Sequence, residues 1–212
     1  MICIQYIMQF RYYHEVKLYD YTLSEPEFDS VNNIFTSKLL DSKNKELRIK
    51  SGNMRLVSRQ DKQIKVEFLH TADEYYQYIK NLDSLLKDEA EKHLSNILGN
   101  INKDTLDNLF KSSILLPEKL PSLPVMVFQL NDNCKFTGLK RRKATIDDFK
   151  ENSNIEVHFV VRGINYFKNK CEIIYDVLQL KLVEASCETI ENLINKNSEI
   201  EYQLSDNNDD DN

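Results

Sequence analysis

The chain has 212 residues, 41% of them hydrophobic, and a formal net charge of −6. This length supports one substantial hydrophobic core. Its four glycines form neither GxxxxGK[ST] nor GxGxxG, and its four cysteines form no CxxC pair. No apolar run reaches the ~20 residues that cross a bilayer as a helix. Composition therefore excludes the phosphate-loop and dinucleotide motifs, and favours an intracellular protein with reduced cysteines and no metal, cofactor or membrane contact.

Two strands are predicted in the first third of the chain, at residues 1–10 and 63–69. Residues 1–10 are apolar but lack the basic segment and cleavage site of a signal peptide, so we expect a strand there. In QIKVEFL at 63–69, apolar and polar residues alternate. That period is typical of a strand with one buried and one solvated face.

A long amphipathic helix is predicted directly after this strand, over 72–98. Thr71 and Glu74 have the spacing of a capping box, and apolar residues recur at helical spacing as far as Gly99. A shorter helix is predicted over 103–111. The three prolines that follow favour an extended connection, because proline fixes φ and restricts the residue before it.

The last third of the chain is predicted to form an antiparallel sheet. Its β-branched and aromatic runs, separated by polar turns, lie at 125–130, 155–163 and 171–183. Apolar residues on one helical face predict a final helix over 186–197. Residues 199–212 contain six acidic residues and no basic one. We therefore expect one folded domain over 1–198, followed by a disordered acidic tail.

Positive charge is concentrated in three segments of a body, residues 1–198, that is neutral in total. Residues 43–65 carry a local net charge of +6, and 135–143 and 162–170 are also rich in lysine and arginine. Phosphate backbones bind such segments because each contact releases condensed counterions. The alternative is that each segment is an ordinary solvated face.

Aromatic residues interleave with these cations, as in proteins that stack nucleobases beside a phosphate-binding groove. Tyr166 is the best stacking candidate, while Phe159, Phe167 and Tyr175 have the core as their alternative location. The candidate nucleic-acid-binding residues are Arg48, Lys50, Arg55, Arg59, Lys135, Phe136, Lys140, Arg141, Arg142, Lys143, Arg162, Tyr166, Lys168 and Lys170. The four histidines have no serine, cysteine or aspartate at a catalytic spacing, so we expect no enzyme.

Four segments within roughly residues 48–185 follow a recognisable order. They are MRLVSR at 54–59, VEFLHTADEYYQYIKNLDSLLKDEA at 66–90, LPEKLPSLPVMVFQLNDNCKF at 116–136 and IEVHFVVRGINYFKNKCEIIYDVLQLKLV at 155–183. Their order resembles the single-stranded DNA-binding proteins of large nucleocytoplasmic DNA viruses. The resemblance implies an α+β fold, an OB-like antiparallel β-barrel with a long packed helix. Residues 1–47 have no counterpart in it.

The resemblance also implies a function. It is that of a sequence-tolerant single-stranded DNA-binding protein acting in viral DNA replication, recombination or repair, in the host cytoplasm or nucleus. RNA binding by the same surface and homo-oligomerisation stay open, and the acidic tail is expected to bind replication or recombination proteins. The alternative is a protein–protein assembly module without nucleic-acid affinity, in which the long helix docks on a partner.

Overall fold

Twelve strands and two α-helices occupy the residues that the computed structural model describes, which are 10–69, 74–98, 103–117 and 122–184. The strands are β1 Arg11–Tyr12, β2 Tyr21–Leu23, β3 Glu27–Asp29, β4 Ile34–Asp41, β5 Leu47–Lys50, β6 Met54–Gln60, β7 Gln63–Phe68, β8 Phe110–Lys111, β9 Ile114–Leu115, β10 Val125–Thr137, β11 Asn154–Tyr166 and β12 Cys171–Leu182. The helices are α1 Glu74–Leu98 and α2 Lys103–Leu109.

Five of these strands close into a barrel. β6 pairs with β7, β7 with β10, β10 with β12, β12 with β11, and β11 returns to β6 through Asn154 opposite Arg55. A five-stranded barrel with a crossed connection of this kind is the OB-fold architecture. The predicted α+β, OB-like barrel is therefore confirmed. Four of its pairings are antiparallel, and β10–β12 is parallel because the intervening β11 reverses the chain.

The apolar side chains that alternation predicts to be buried fill the interior of the barrel. Ile64, Val66 and Phe68 of β7 are all fully buried. The rings of Phe128 and Phe159 lie 5.3 Å apart between centroids, and Tyr175 packs against both. Period-two alternation therefore directs one side of each strand into a common core.

The long helix α1 confirms the prediction of a packed helix and lies within the predicted range 72–98, of which residues 72 and 73 are outside the described residues. Its apolar stripe is buried, and Tyr75 in its first turn contacts the ring of Phe68 at 5.7 Å between centroids. The buried Asp83 accepts hydrogen bonds from Ser112 and Ser113, and the Ser113 hydroxyl lies 2.5 Å from that of Tyr175. This network joins the helix to β12. No helix in the described residues is both long and apolar enough to cross a membrane.

The shorter helix ends earlier than predicted. It stops at Leu109, and residues 110–111 form β8, which pairs in parallel with the start of β12. The edge of β12 offers backbone hydrogen-bonding groups and Phe110 is buried there, so pairing replaces the last helical turn.

Residues 10–50 extend the barrel sheet, and all of them up to residue 47 had no counterpart in the resemblance. β4 and β5 both pair with β11, and β2 and β3 pair with β4. Gly163 of β11 has a φ of +139°, and a Cβ there would lie 1.8 Å from the Ser37 carbonyl oxygen. The strands approach this closely because residue 163 has no side chain. The predicted strand at 1–10 except Phe10, the final helix at 186–197 and the acidic tail lie outside the described residues.

Candidate nucleic-acid interface

The outward side of the sheet gathers cations that are distant in the sequence. His158 of β11 lies opposite Lys50 of β5 on one side and Gln179 of β12 on the other, and Gln179 lies opposite Lys135 of β10. Paired strands are about 4.8 Å apart, so Lys50 and Lys135 occupy one row about 14 Å apart. Two of the predicted cationic segments therefore meet on this side of the sheet.

A second row contains Arg48 and Asp176, and Arg162, at a register shift of β11, contacts the carboxylates beside this row. Arg48 lies opposite Val160, which lies opposite Asp176. Arg162 donates hydrogen bonds to Glu46 and, at 2.6 Å, to Asp176, while Arg48 donates to Glu46 at 2.8 Å. Shared carboxylates fix the direction of both guanidinium groups. This brings the third predicted segment, through Arg162, to the same surface.

A third row lies at the end of the barrel where β10 finishes. Lys143, Thr137, Lys181 and Glu156 are successive partners across it. The Lys181 ammonium is 3.5 Å from a Glu156 carboxylate oxygen. Lys181 was not among the predicted residues, because one lysine within a β-branched run gives no charge cluster.

Glu156 is itself almost fully buried on this surface, together with His158. The two side chains are 2.6 Å apart. Burial raises the pKa of Glu156, but the hydrogen bond from His158 and the charges of His158 and Lys181 lower it further, so the net pKa is below its ordinary value. The carboxylate is thus held charged beside the lysine.

We call this surface the cationic face and define it by six outward side chains: Arg48, Lys50, Lys135, Lys143, Arg162 and Lys181. Three carboxylates lie among them, those of Glu46, Glu156 and Asp176. In the part of the chain that is described, no carboxylate pairs with Lys50, Lys135 or Lys143. Three ammonium groups are therefore available to an anionic ligand.

Two rings border the cationic face at the β5 edge. Tyr12 of β1 lies opposite Lys50, whose ammonium is 4.5 Å from the centre of the tyrosine ring. The Phe10 ring lies 6.0 Å from the Arg48 guanidinium carbon and 5.3 Å from the His158 ring. Tyr12 is 38% exposed. Sequence reasoning missed both rings, although the run FRYYH at 10–14, with its arginine among aromatic residues, was a usable signal.

The ring predicted as the best stacking candidate is in the core. Tyr166 is only 3% exposed, and its ring packs 6.5 Å from that of His93 in α1. Burial raises its pKa to about 12. The prediction that Tyr166 stacks on nucleobases is therefore wrong, because β4 and α1 cover the strand end where it lies.

The other predicted rings are also wholly or partly withdrawn from solvent. Phe159 and Tyr175 lie inside the barrel, which is the core alternative. Phe136 is half-buried against Phe149, at 5.7 Å between centroids. Phe167 is half-buried beneath Lys170, whose ammonium is 4.8 Å from the ring centre.

Several predicted cations are not among the six side chains that define the cationic face. Arg55 is paired with Glu67 on β6 and β7. Arg59 donates to the Ile146 carbonyl oxygen at 2.6 Å and pairs with Asp147. Lys168 and Lys170 lie in the turn between β11 and β12, at the opposite end of β11 from Lys143. Lys140, Arg141 and Arg142 are exposed in a hairpin that continues from β10.

The second and third barrel strands, where OB-folds commonly bind oligonucleotides, present a different surface here. These strands are β7 and the first half of β10. Their outward residues include Gln63, Lys65, Val127 and Gln129, and none of their described outward residues is aromatic. Within the described residues, Phe10 and Tyr12 instead lie beside the cationic face.

No family model matches the chain, and no curated protein matches it significantly. Among solved structures, it is similar to the single-stranded DNA-binding protein of bacteriophage Enc34. A C-terminally truncated form is 12% identical, with 77% of this chain and 96% of that chain covered and a TM-score of 0.47.

Two further structures of the Enc34 protein are also similar. The longer form is 11% identical, covering 78% of this chain and 91% of that chain, with a TM-score of 0.43. Its complex with single-stranded DNA is 11% identical, covering 76% and 96%, with a TM-score of 0.42. These neighbours are single-stranded DNA-binding proteins of a bacteriophage, whereas the resemblance stated for residues 48–185 is to those of large nucleocytoplasmic DNA viruses. All three TM-scores are below 0.5.

Proposed function

We propose that the chain binds single-stranded DNA through the cationic face without strong sequence preference. The observation that carries the proposal is the strand register, which places Lys50, Lys135 and Arg162 from three distant segments on one surface. Single-strand binders combine such a cationic surface with rings that stack on any base. Phe10 and Tyr12 supply those rings at its border.

The charge distribution favours a polyanion over a small anion. Lys50 and Lys135 are about 14 Å apart, which is two or more nucleotide spacings of an extended strand and too far for one phosphate. Arg48 and Arg162 are paired with carboxylates, which offset much of their positive charge. They would therefore contribute fixed hydrogen-bond donors and a weaker positive potential to the bound strand. Affinity should then come mainly from released counterions and from base stacking.

The wider role follows from the resemblance described for residues 48–185. We propose that residues 1–198 form a single, non-enzymatic nucleic-acid-binding domain acting in viral DNA replication, recombination or repair. The acidic segment 199–212 would then bind proteins of the same processes.

Fluorescence anisotropy with a labelled oligo-dT tests the proposal. Binding should weaken steeply between about 50 mM and about 200 mM salt, with log Kd changing by about 0.7 per unit of log salt for each phosphate contacted. Absence of binding, or binding that ignores salt, would contradict the proposal and favour the assembly-module alternative. Competition with unlabelled RNA and duplex DNA of equal length would define the preferred polymer.

A further inference from the structure

The chain reverses tightly after β10, over residues 139–142. The Arg142 amide donates to the Leu139 carbonyl oxygen at 3.2 Å, and the Gly138 amide donates to the Arg142 carbonyl oxygen at 2.8 Å. Lys140 and Arg141, the two central residues, have φ angles of 54° and 61°. Positive φ at both central positions is characteristic of a type I′ turn. Here three residues, 139–141, lie between the paired residues Gly138 and Arg142.

The residue types in this turn are unfavourable for its backbone. Type I′ turns favour asparagine, aspartate and glycine, because other side chains crowd the backbone at positive φ. The remaining positive-φ positions of the described residues follow this preference: they are Asn33, Asn44, Asp61, Asn152 and Gly163. Lys140 and Arg141 are the exceptions. The turn is therefore less stable than it would be with asparagine or glycine at these two positions.

No contact within the described part of the chain accounts for this choice. Lys140 and Arg141 are exposed, and neither forms an ion pair or a side-chain hydrogen bond with a described residue. The hairpin is continuous with the cationic face, since Lys143 pairs with Thr137, which lies opposite Lys181. Side chains that strain a turn and bind nothing in the fold point to a ligand.

We propose that Lys140 and Arg141 form a phosphate-contacting tip that extends the cationic face along a bound DNA strand, and that the chain retains them at the expense of stability. The inference rests on the proposed function. It adds a binding element outside the sheet, with the phosphodiester backbone as its ligand. It also predicts that stability and affinity change in opposite directions when the tip is given favourable turn residues.

The test is the double variant Lys140→Asn with Arg141→Gly in the full chain. Its Tm should rise by about 4–8 °C, because the turn strain is relieved. Its affinity for oligo-dT should fall about 5- to 30-fold at low salt, and the slope of log Kd against log salt should decrease by about 1.4 for two lost contacts.

Two further variants separate charge from strain. Lys140→Gln with Arg141→Gln keeps two side chains at positive φ, so affinity should fall equally while Tm stays unchanged. Asn33→Gly alters another positive-φ turn, remote from the hairpin in sequence, and should leave affinity unchanged.

The possible failures are distinguishable. If the wild type binds DNA but the Asn–Gly variant binds with the same affinity and salt slope, the tip proposal is overturned and the proposed function stands. A fall in affinity without a rise in Tm would overturn the inference that Lys140 and Arg141 lower the stability of the fold. If the wild type itself does not bind, both are overturned.

Discussion

The ammonium of Lys50 lies 4.5 Å from the centre of the Tyr12 ring, at the border of the cationic face. Tyr12 and His14 are also stacked almost parallel, with ring centroids 5.6 Å apart, and both are exposed. A nucleotide whose base stacks on these two rings would place its phosphate near Lys50. Under the proposed function, the pair would combine base stacking with phosphate binding in one place.

Replacing Tyr12 with alanine should weaken single-stranded DNA binding about 5- to 150-fold, since one base–ring stack contributes about 1–3 kcal/mol. Anisotropy titrations with oligo-dT measure the change. Tyr19→Ala is the matched control, because Tyr19 is 72% exposed and also lies near a lysine, Lys17, but is not part of the cationic face. Equal losses in the two variants would show that the location of Tyr12 is unimportant.

Replacing Lys50 and Lys135 together with glutamine should reduce the salt slope of oligo-dT binding by about 1.4, because two phosphate contacts are lost. Titrations at several salt concentrations measure the slope. Lys80→Gln with Lys92→Gln removes the same charge from exposed positions of α1 and should leave the slope unchanged. A similar decrease in both variants would indicate that only net charge matters.

Gly163→Ala should lower the free energy of unfolding by more than about 2 kcal/mol. Its Cβ would meet the Ser37 carbonyl oxygen at 1.8 Å, and its φ of +139° disfavours any side chain. Urea unfolding measures the loss. Gly138→Ala has only ordinary contacts at 3.5 Å or more and a φ of −79°, so a stability change within about 1 kcal/mol is expected. A Gly163→Ala protein of wild-type stability would refute the close approach of β4 and β11.

Asp83→Asn should alter the pH dependence of stability. Burial raises the pKa of Asp83 above its ordinary 3.8, although hydrogen bonds from Ser112 and Ser113 oppose the rise. A raised carboxyl pKa stabilises the fold below the unfolded-state pKa, and this contribution is lost as pH rises through the folded-state value. The stability of the wild type relative to Asp83→Asn should therefore decline as pH increases from about 4 to about 7. Urea unfolding of both proteins at several pH values measures it, and a constant or growing difference would contradict the shift.

Local patterns predicted much of the fold. Alternation identified β7, and helical spacing identified α1. The pattern was less informative for the middle of β11. Residues 155–159 alternate between apolar and polar, but Phe159, Val160 and Val161 are consecutive apolar residues and all are buried. Such a run does not indicate which of its side chains faces the barrel interior.

The candidate site depended on contacts between distant segments. The sequence identified Lys50 and Lys135 as members of cationic segments, but only the pairing of four strands places them in one row. Tyr166 was misplaced because its cover comes from β4 and α1, and β4 belongs to a region without a recognised counterpart. The rings of that same region, Phe10 and Tyr12, were missed for the same reason.

Photo-crosslinking of oligo-dT to the full chain, with the attached peptides identified by mass spectrometry, tests most directly which surface holds the strand. If the cationic face holds the strand, crosslinks are expected on residues 10–14 and on the hairpin after β10, and they should be lost in the Lys50→Gln, Lys135→Gln variant. Crosslinks confined to residues 63–68 of β7 or to helix α1 would contradict this expectation.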